Sequence, residues 1–259
     1  MKFKFPTSVK ILLVCFVFYS MMSCSSKKDV VYFQGAPLTA FAVPSFELRY
    51  KPNDLLSISV SALNMEAVRP FNLSTVSYTS VTGKMSGPPV QQSYLISSDG
   101  SILFPVIGRL DLANLTRNQA ENLLREKLAA YVTNPMVNIR IVNYKVSVLG
   151  EVKKPGVFTI ENEKISVLEA LGLAGDLSIH GQRKNVLLIR DFQGKKHFER
   201  LDLTSIDFFT TNNYYLQQND VLYIAPNKAK VSASRFSPST GVYISVTSLL
   251  ITLIAILIN

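Results

Sequence analysis

Two cysteines, two histidines and a scatter of carboxylates are the residues of this 259-residue chain best suited to chemistry. Lys2, Lys4 and Lys10 lead into the apolar run from Ile11 to Tyr19, and small or polar residues follow around Ser23. That order predicts a secretory signal peptide over residues 1–23. The run falls short of the roughly 20 apolar residues that span a bilayer, which argues against a retained anchor. Cys15 leaves with the signal peptide, so the mature chain keeps only Cys24 and can form neither a disulfide nor a cysteine metal site. An unpaired thiol in an oxidising compartment is a liability, which sets Cys24 apart as a residue to be modified.

Catalytic constellations are missing. His180 and His197 lack the Glu-x-x-His spacing of a zinc site. Asp54, Asp99, Asp111, Glu151 and Asp176 are candidates for a glycosidase pair, but spacing brings no two of them together. Asp99 belongs to a turn and Asp176 follows a helix-ending glycine. No nucleophile elbow and no phosphate loop occur, so neither an enzyme nor a cofactor is expected. The signal peptide holds three of the 27 basic residues and none of the 18 acidic ones. The remaining basic excess is dispersed in singles and pairs such as Lys153-Lys154, which leaves no footprint for nucleic acid.

Residues 241–258 contain no charge, and Ile, Leu and Val dominate them. Hydropathy predicts a transmembrane helix about 27 Å long. Gly241, Ser245, Ser248, Thr252 and Ala255 fall on one stripe of that helix, with Thr247 off it. In lipid such a stripe predicts contact between helices or a surface facing a lumen.

The elements between these ends divide into two units. After a polar linker over residues 24–48, the alternation Leu56, Ile58, Val60 predicts a half-buried strand. Residues 65–93, rich in Pro, Gly, Ser and Thr, read as an exposed insertion. Asp99-Gly100 predicts a tight hairpin between strands at 94–97 and 102–104. Thr116 and Gln119 have capping-box spacing at the start of a helix that places Ala120, Leu123, Leu124, Leu128 and Tyr131 on one face. Asn134-Pro135 stops that helix, and Val137, Ile139 and Ile141 alternate as a strand. The second unit, residues 144–227, opens with a strand at 146–152 and a predicted type II turn at Pro155-Gly156. Ser166 and Glu169 repeat the capping box, and Gly175 closes the short helix. Strands at 186–189, 197–203 and 221–224 complete an α+β domain, followed by a linker at 228–240.

The residues around Cys24 resemble the lipobox of bacterial lipoproteins. The strings Tyr50-Lys51-Pro52-Asn53-Asp54-Leu55-Leu56-Ser57-Ile58, Ser98-Asp99-Gly100-Ser101-Ile102-Leu103-Phe104-Pro105-Val106-Ile107-Gly108 and Tyr131-Val132-Thr133-Asn134-Pro135-Met136-Val137 resemble the export domain of the polysaccharide export lipoprotein family. Val148-Leu149-Gly150-Glu151-Val152, Pro155-Gly156 and Leu168-Glu169-Ala170-Leu171 are similar to its soluble-ligand-binding β-grasp domain (SLBB). The resemblance implies an export domain over residues 49–143 followed by a single β-grasp unit, where better-known relatives carry two. It also implies an outer-membrane lipoprotein with a periplasmic body, forming a ring-shaped homo-oligomer, octameric in well-known members. Through that ring capsular or extracellular polysaccharide would pass, handed over by an inner-membrane copolymerase or tyrosine autokinase. A monomeric glycan-binding lipoprotein is the alternative, and a glycan-processing enzyme a third reading.

Overall fold

The structure, a computed structural model, describes residues 27–35, 44–75, 90–192 and 194–234, together with Ser245, Val246, Ser248, Leu249 and Thr252. The first domain is built on an antiparallel sheet in which β1 (Leu55–Ser61) lies between β4 (Ser93–Leu95) and β7 (Met136–Ile141). Alternation decides which face of β1 is buried: Leu56, Ile58 and Val60 point into the core, with Ile58 opposite Ile139 and Val60 opposite Val137. Across that face runs α2 (Arg117–Leu128), burying Ala120, Leu124 and Leu128. Its capping box forms as expected, because the Thr116 and Gln119 side chains each accept the other's backbone N–H.

Three local readings are corrected. Residues 65–93 are not simply exposed: α1 (Met65–Val68) is capped by Asn64, and Val68 and Phe71 join the core. Phe71 lies parallel to Phe104 at 6.5 Å. Short strands β2 (Ser74–Thr75) and β3 (Val90–Gln91) pair beyond it. Asp99-Gly100 makes a turn, with Gly100 at φ 87° and the Asp99 carboxylate accepting from Ser101, but it does not zip its two flanks together. Instead β4 pairs with β1, and β5 (Ser101–Phe104) pairs with β6 (Gly108–Asp111).

The second domain has a five-stranded sheet in the order β11-β10-β12-β8-β9. Its strands are β8 (Lys145–Gly150), β9 (Gly156–Thr159), β10 (Gly181–Phe192), β11 (Lys195–Leu201) and β12 (Val221–Pro226). Only β8 and β12 run parallel. One face packs against α3 (Val167–Leu173), whose Ser166/Glu169 capping box also forms. The expected type II turn at Pro155-Gly156 is replaced. Gly156 already belongs to β9, and the positive φ sits at Gly150, where an added Cβ would lie 2.0 Å from the Ile224 carbonyl oxygen.

The transmembrane helix expected over residues 241–258 is also corrected. Among the described residues no helix is long and apolar enough to cross a membrane. The last continuous element is α4 (Lys228–Ser234), which buries no residue. Hydropathy alone had suggested the span. The described residues of this stretch, Ser245, Val246, Ser248, Leu249 and Thr252, are helical, and the Ser248 and Thr252 hydroxyls bond back to the carbonyls of Ser245 and Ser248, a pattern that bends a helix.

Candidate functional site: the cleft between the domains

Residues 46–50 bridge the two domains. Tyr50 is buried in the first core, whereas Leu48 packs against the second and the Phe46 ring lies 5.3 Å from that of Tyr215. Beside this segment opens a cleft of about 500 Å³, walled by the start of α2, by β7 and by the loop Glu161–Lys164. A neighbouring recess of about 510 Å³ shares residues 162–164 and reaches Tyr214 and Tyr215.

The walls combine ring faces with fixed charges. Tyr214 meets Tyr215 edge-on at 4.8 Å, and the Lys164 ammonium stands 5.1 Å above the Tyr215 ring. Arg117 is held between Glu121, at 2.8 Å, and Glu163, so it ties the first domain to the 161–164 loop. Glu121 also accepts the Ile139 N–H at 3.0 Å. Flat aromatic faces flanked by amide, guanidinium and carboxylate groups suit a polyhydroxylated chain, which stacks by its C–H faces and hydrogen-bonds by its edges.

A polar seam fixes the two domains beneath the cleft. Asn143 accepts the Leu55 N–H at 2.9 Å and donates to the Asn53 carbonyl at 3.0 Å. Gln218 accepts the Lys145 N–H and donates to the Asn143 carbonyl, both at 2.8 Å. The Lys51 ammonium donates to Gln217 at 2.7 Å, and burial pushes its pKa down. Asp54, 2% exposed, accepts the Lys51 N–H at 2.8 Å, and burial raises its carboxyl to about 6. Deeper in the second domain Arg190 grips the fully buried Asp220 with contacts of 2.6–3.1 Å.

Among the described residues, no sequence-derived site residue lines the cleft. Cys24, Gly241 and Ala255 lie outside the described residues. Ser245, Ser248 and Thr252 are helical and exposed, and the Ser248 and Thr252 hydroxyls donate to the carbonyls of Ser245 and Ser248. The catalytic candidates are dispersed into structural roles. Asp99 and Asp111 pair with Arg109, Glu151 accepts from Ser178, and Asp176 accepts from Tyr32. His197 meets the Phe192 ring edge-on. Among the described residues no group of three or more His, Cys, Asp or Glu could hold a metal. Sequence reading missed Asn143, Gln217, Gln218 and the Arg190–Asp220 pair. The polar run Gln217-Gln218-Asn219-Asp220 before a strand was the available signal.

Comparison with known proteins follows the same division. Residues 43–142 match the polysaccharide biosynthesis/export protein model, and residues 144–224 match the SLBB domain model. The chain is 32% identical over 145 residues to the EPS I polysaccharide export outer membrane protein EpsA of Ralstonia nicotianae, covering 55% of this chain and 37% of that protein. It is 26% identical over 199 residues to the protein of the same name from Ralstonia solanacearum, covering 74% of this chain and 52% of that one. The chain thus spans about half or less of these relatives' own length. It carries a polysaccharide biosynthesis/export domain followed directly by an SLBB domain, in the order and at the positions where the two folded units lie.

Proposed function

We propose that the protein is an outer-membrane lipoprotein, lipidated at Cys24 and with its body in the periplasm, that assembles into a ring-shaped homo-oligomer and conducts capsular or extracellular polysaccharide outward. An inner-membrane copolymerase or tyrosine autokinase hands it the polymer. The export role is supported by the two domains and by the relatives, which are polysaccharide export outer membrane proteins.

Self-association is supported by one observation, the outer face of the five-stranded sheet. Leu187, Tyr223 and Leu149 stand in one cross-strand row, and Phe198, Ile189, Val221, Ser147 and Val157 in the next. Phe198 and Val157 are each 63% exposed, Leu149 and Tyr223 at least 40%. A largely apolar exposed face of this kind, interrupted by Arg200 beside Leu187 and by Ser147, supports contact with a second copy. The second reading, a monomeric glycan-binding lipoprotein, is favoured by the aromatic and polar walls of the cleft.

Light scattering of the full chain in mild detergent separates the two. A mass of several protomers that falls to one protomer in Phe198→Asp supports the ring; a single-protomer mass for the unaltered chain contradicts it.

A further inference from the structure

Two arginines of β10 are largely withdrawn from solvent, and they are satisfied very differently. Arg190 grips the Asp220 carboxylate and also donates to Asn213 and to the Tyr215 carbonyl. Arg183, 5% exposed, has only the carbonyls of Ser178 and Gly181, at 3.3 and 3.2 Å. Among the described residues its Nε has no hydrogen-bond partner, and no ion pair reaches its guanidinium. A buried cation without a carboxylate is costly to keep, so its environment asks for an anion.

What covers Arg183 is the segment 27–35, laid along the second domain as a strap. The Tyr32 ring lies over the guanidinium at 5.0 Å, and the Tyr32 hydroxyl donates to Asp176 at 2.5 Å. Burial, with Asp176 beside it, pushes the phenol's pKa up, so Tyr32 stays neutral and brings Arg183 no counter-charge. Three residues earlier Asp29 pairs with Lys184, the next residue of β10, at 2.7 Å. Phe33 and Gln34 donate to the carbonyls of Leu203 and Thr204, and Thr204 is itself buried beneath the strap.

The chain thus lays a carboxylate and a hydroxylated ring of its own against two consecutive cations. That is the pattern of a ligand: a carboxylate for a cation, a ring face for a guanidinium plane and a hydroxyl for a neighbouring acceptor. A hexuronate unit offers the same three groups, and its carboxylate supplies the charge that Tyr32 lacks. The strap's own hold is light. Asp29 and Lys184 are both more than half exposed, a setting in which an ion pair is worth little, and Lys28 beside Asp29 is exposed as well.

We propose that Arg183 and Lys184 form a binding site for a carboxylate-bearing saccharide, and that the strap 27–35 closes this site as an internal stand-in which the ligand displaces. The site goes beyond the export reading, since it is complete within one protomer and needs neither a ring nor a lipid at Cys24.

The test is isothermal titration of the full chain in mild detergent with a galacturonate oligomer, and with a neutral galactose oligomer of the same length and inorganic phosphate as comparison probes. Asp29→Asn together with Tyr32→Ala should open the site and tighten galacturonate binding at least about tenfold, because apparent affinity scales with the fraction of chains in the open state. In that opened background Lys184→Gln should weaken binding at least about tenfold and Arg183→Gln should abolish it. Lys184 is exposed, so its variant decides the matter if Arg183→Gln does not fold. With the unaltered chain, saturating galacturonate should speed tryptic cleavage at Lys28, which displacement of the strap frees. Equal affinity of the unaltered and opened chains overturns the proposal, as does the absence of galacturonate binding in the opened chain or an unchanged affinity on Lys184→Gln. Neutral oligomer bound as tightly as galacturonate removes the role of the carboxylate, and phosphate bound as tightly assigns the pair to small anions; either result overturns the proposal. Cleavage at Lys28 that galacturonate leaves unchanged places the ligand away from the strap and overturns it too.

Discussion

Asp54 follows two residues behind Pro52 at the mouth of the first strand, and in the sequence it stands both among the candidate carboxylates and in the string that resembles an export domain. The structure makes it the turn's own acceptor, buried and bonded to the Lys51 N–H. Its folded pKa, about 6, lies above the unfolded carboxylate value, so the folded state takes up a proton as pH falls toward 4. The carboxyl therefore favours folding at acid pH, and that contribution is lost as pH rises through about 6. Asn keeps the acceptor oxygen without the buried charge. Asp54→Asn should be close to neutral at pH 4 and should stabilise at pH 8 by on the order of 1–3 kcal/mol. Urea unfolding at the two pH values checks this, and destabilisation at pH 8 would show that the carboxylate has a partner worth more than its burial. Other single residues were legible only in part. Gly150 belonged to a recognised string, yet its need for a positive φ and for the absence of a Cβ comes from Ile224, more than seventy positions away.

Elements were legible where their determinants are local. Both capping boxes form, because each needs only a hydroxyl and a carboxyl or amide three residues apart. The alternations at Leu56-Ile58-Val60 and Val137-Ile139-Ile141 became strands that pair with each other. Pairing choices were not legible. Asp99-Gly100 has the residues of a hairpin, but Leu112 and Ala113 donate to the Gly100 carbonyl and direct β5 to β6 instead. Likewise the apolarity of residues 241–258 suggests a span, whereas among the described residues no helix is long and apolar enough to cross a membrane. In the second domain, Arg190 on β10 holds the carboxylate just ahead of β12. Removing it by Arg190→Met would leave Asp220 charged, fully buried and bonded only to the Gln217 N–H. The expected loss is about 3–5 kcal/mol by thermal or urea unfolding. Adding Asp220→Leu should return part of it and not all, since the Gln217 N–H then lacks its acceptor. A loss below about 1 kcal/mol for the single variant would mean that water reaches the site.

At the scale of the molecule, two domains of recognised type are joined by a seam of side-chain amides that no local pattern announced, since Asn143 and Gln218 meet across 75 positions. That seam, with Arg117 and Glu163 above it, fixes the walls of the cleft. Both domains could be named from strings, because strand alternation and turn residues are written locally. Their mutual placement could not, because it depends on pairs distant in sequence. The central claim is that polysaccharide leaves the cell through an assembly of this chain. Its most direct measurement is where the polymer resides in cells lacking the gene. Surface polysaccharide should be lost and polymer should accumulate in the periplasm, with full restoration by the unaltered gene and poor restoration by the Phe198→Asp variant at equal protein level. Unchanged surface polysaccharide in the deletion strain would contradict the claim.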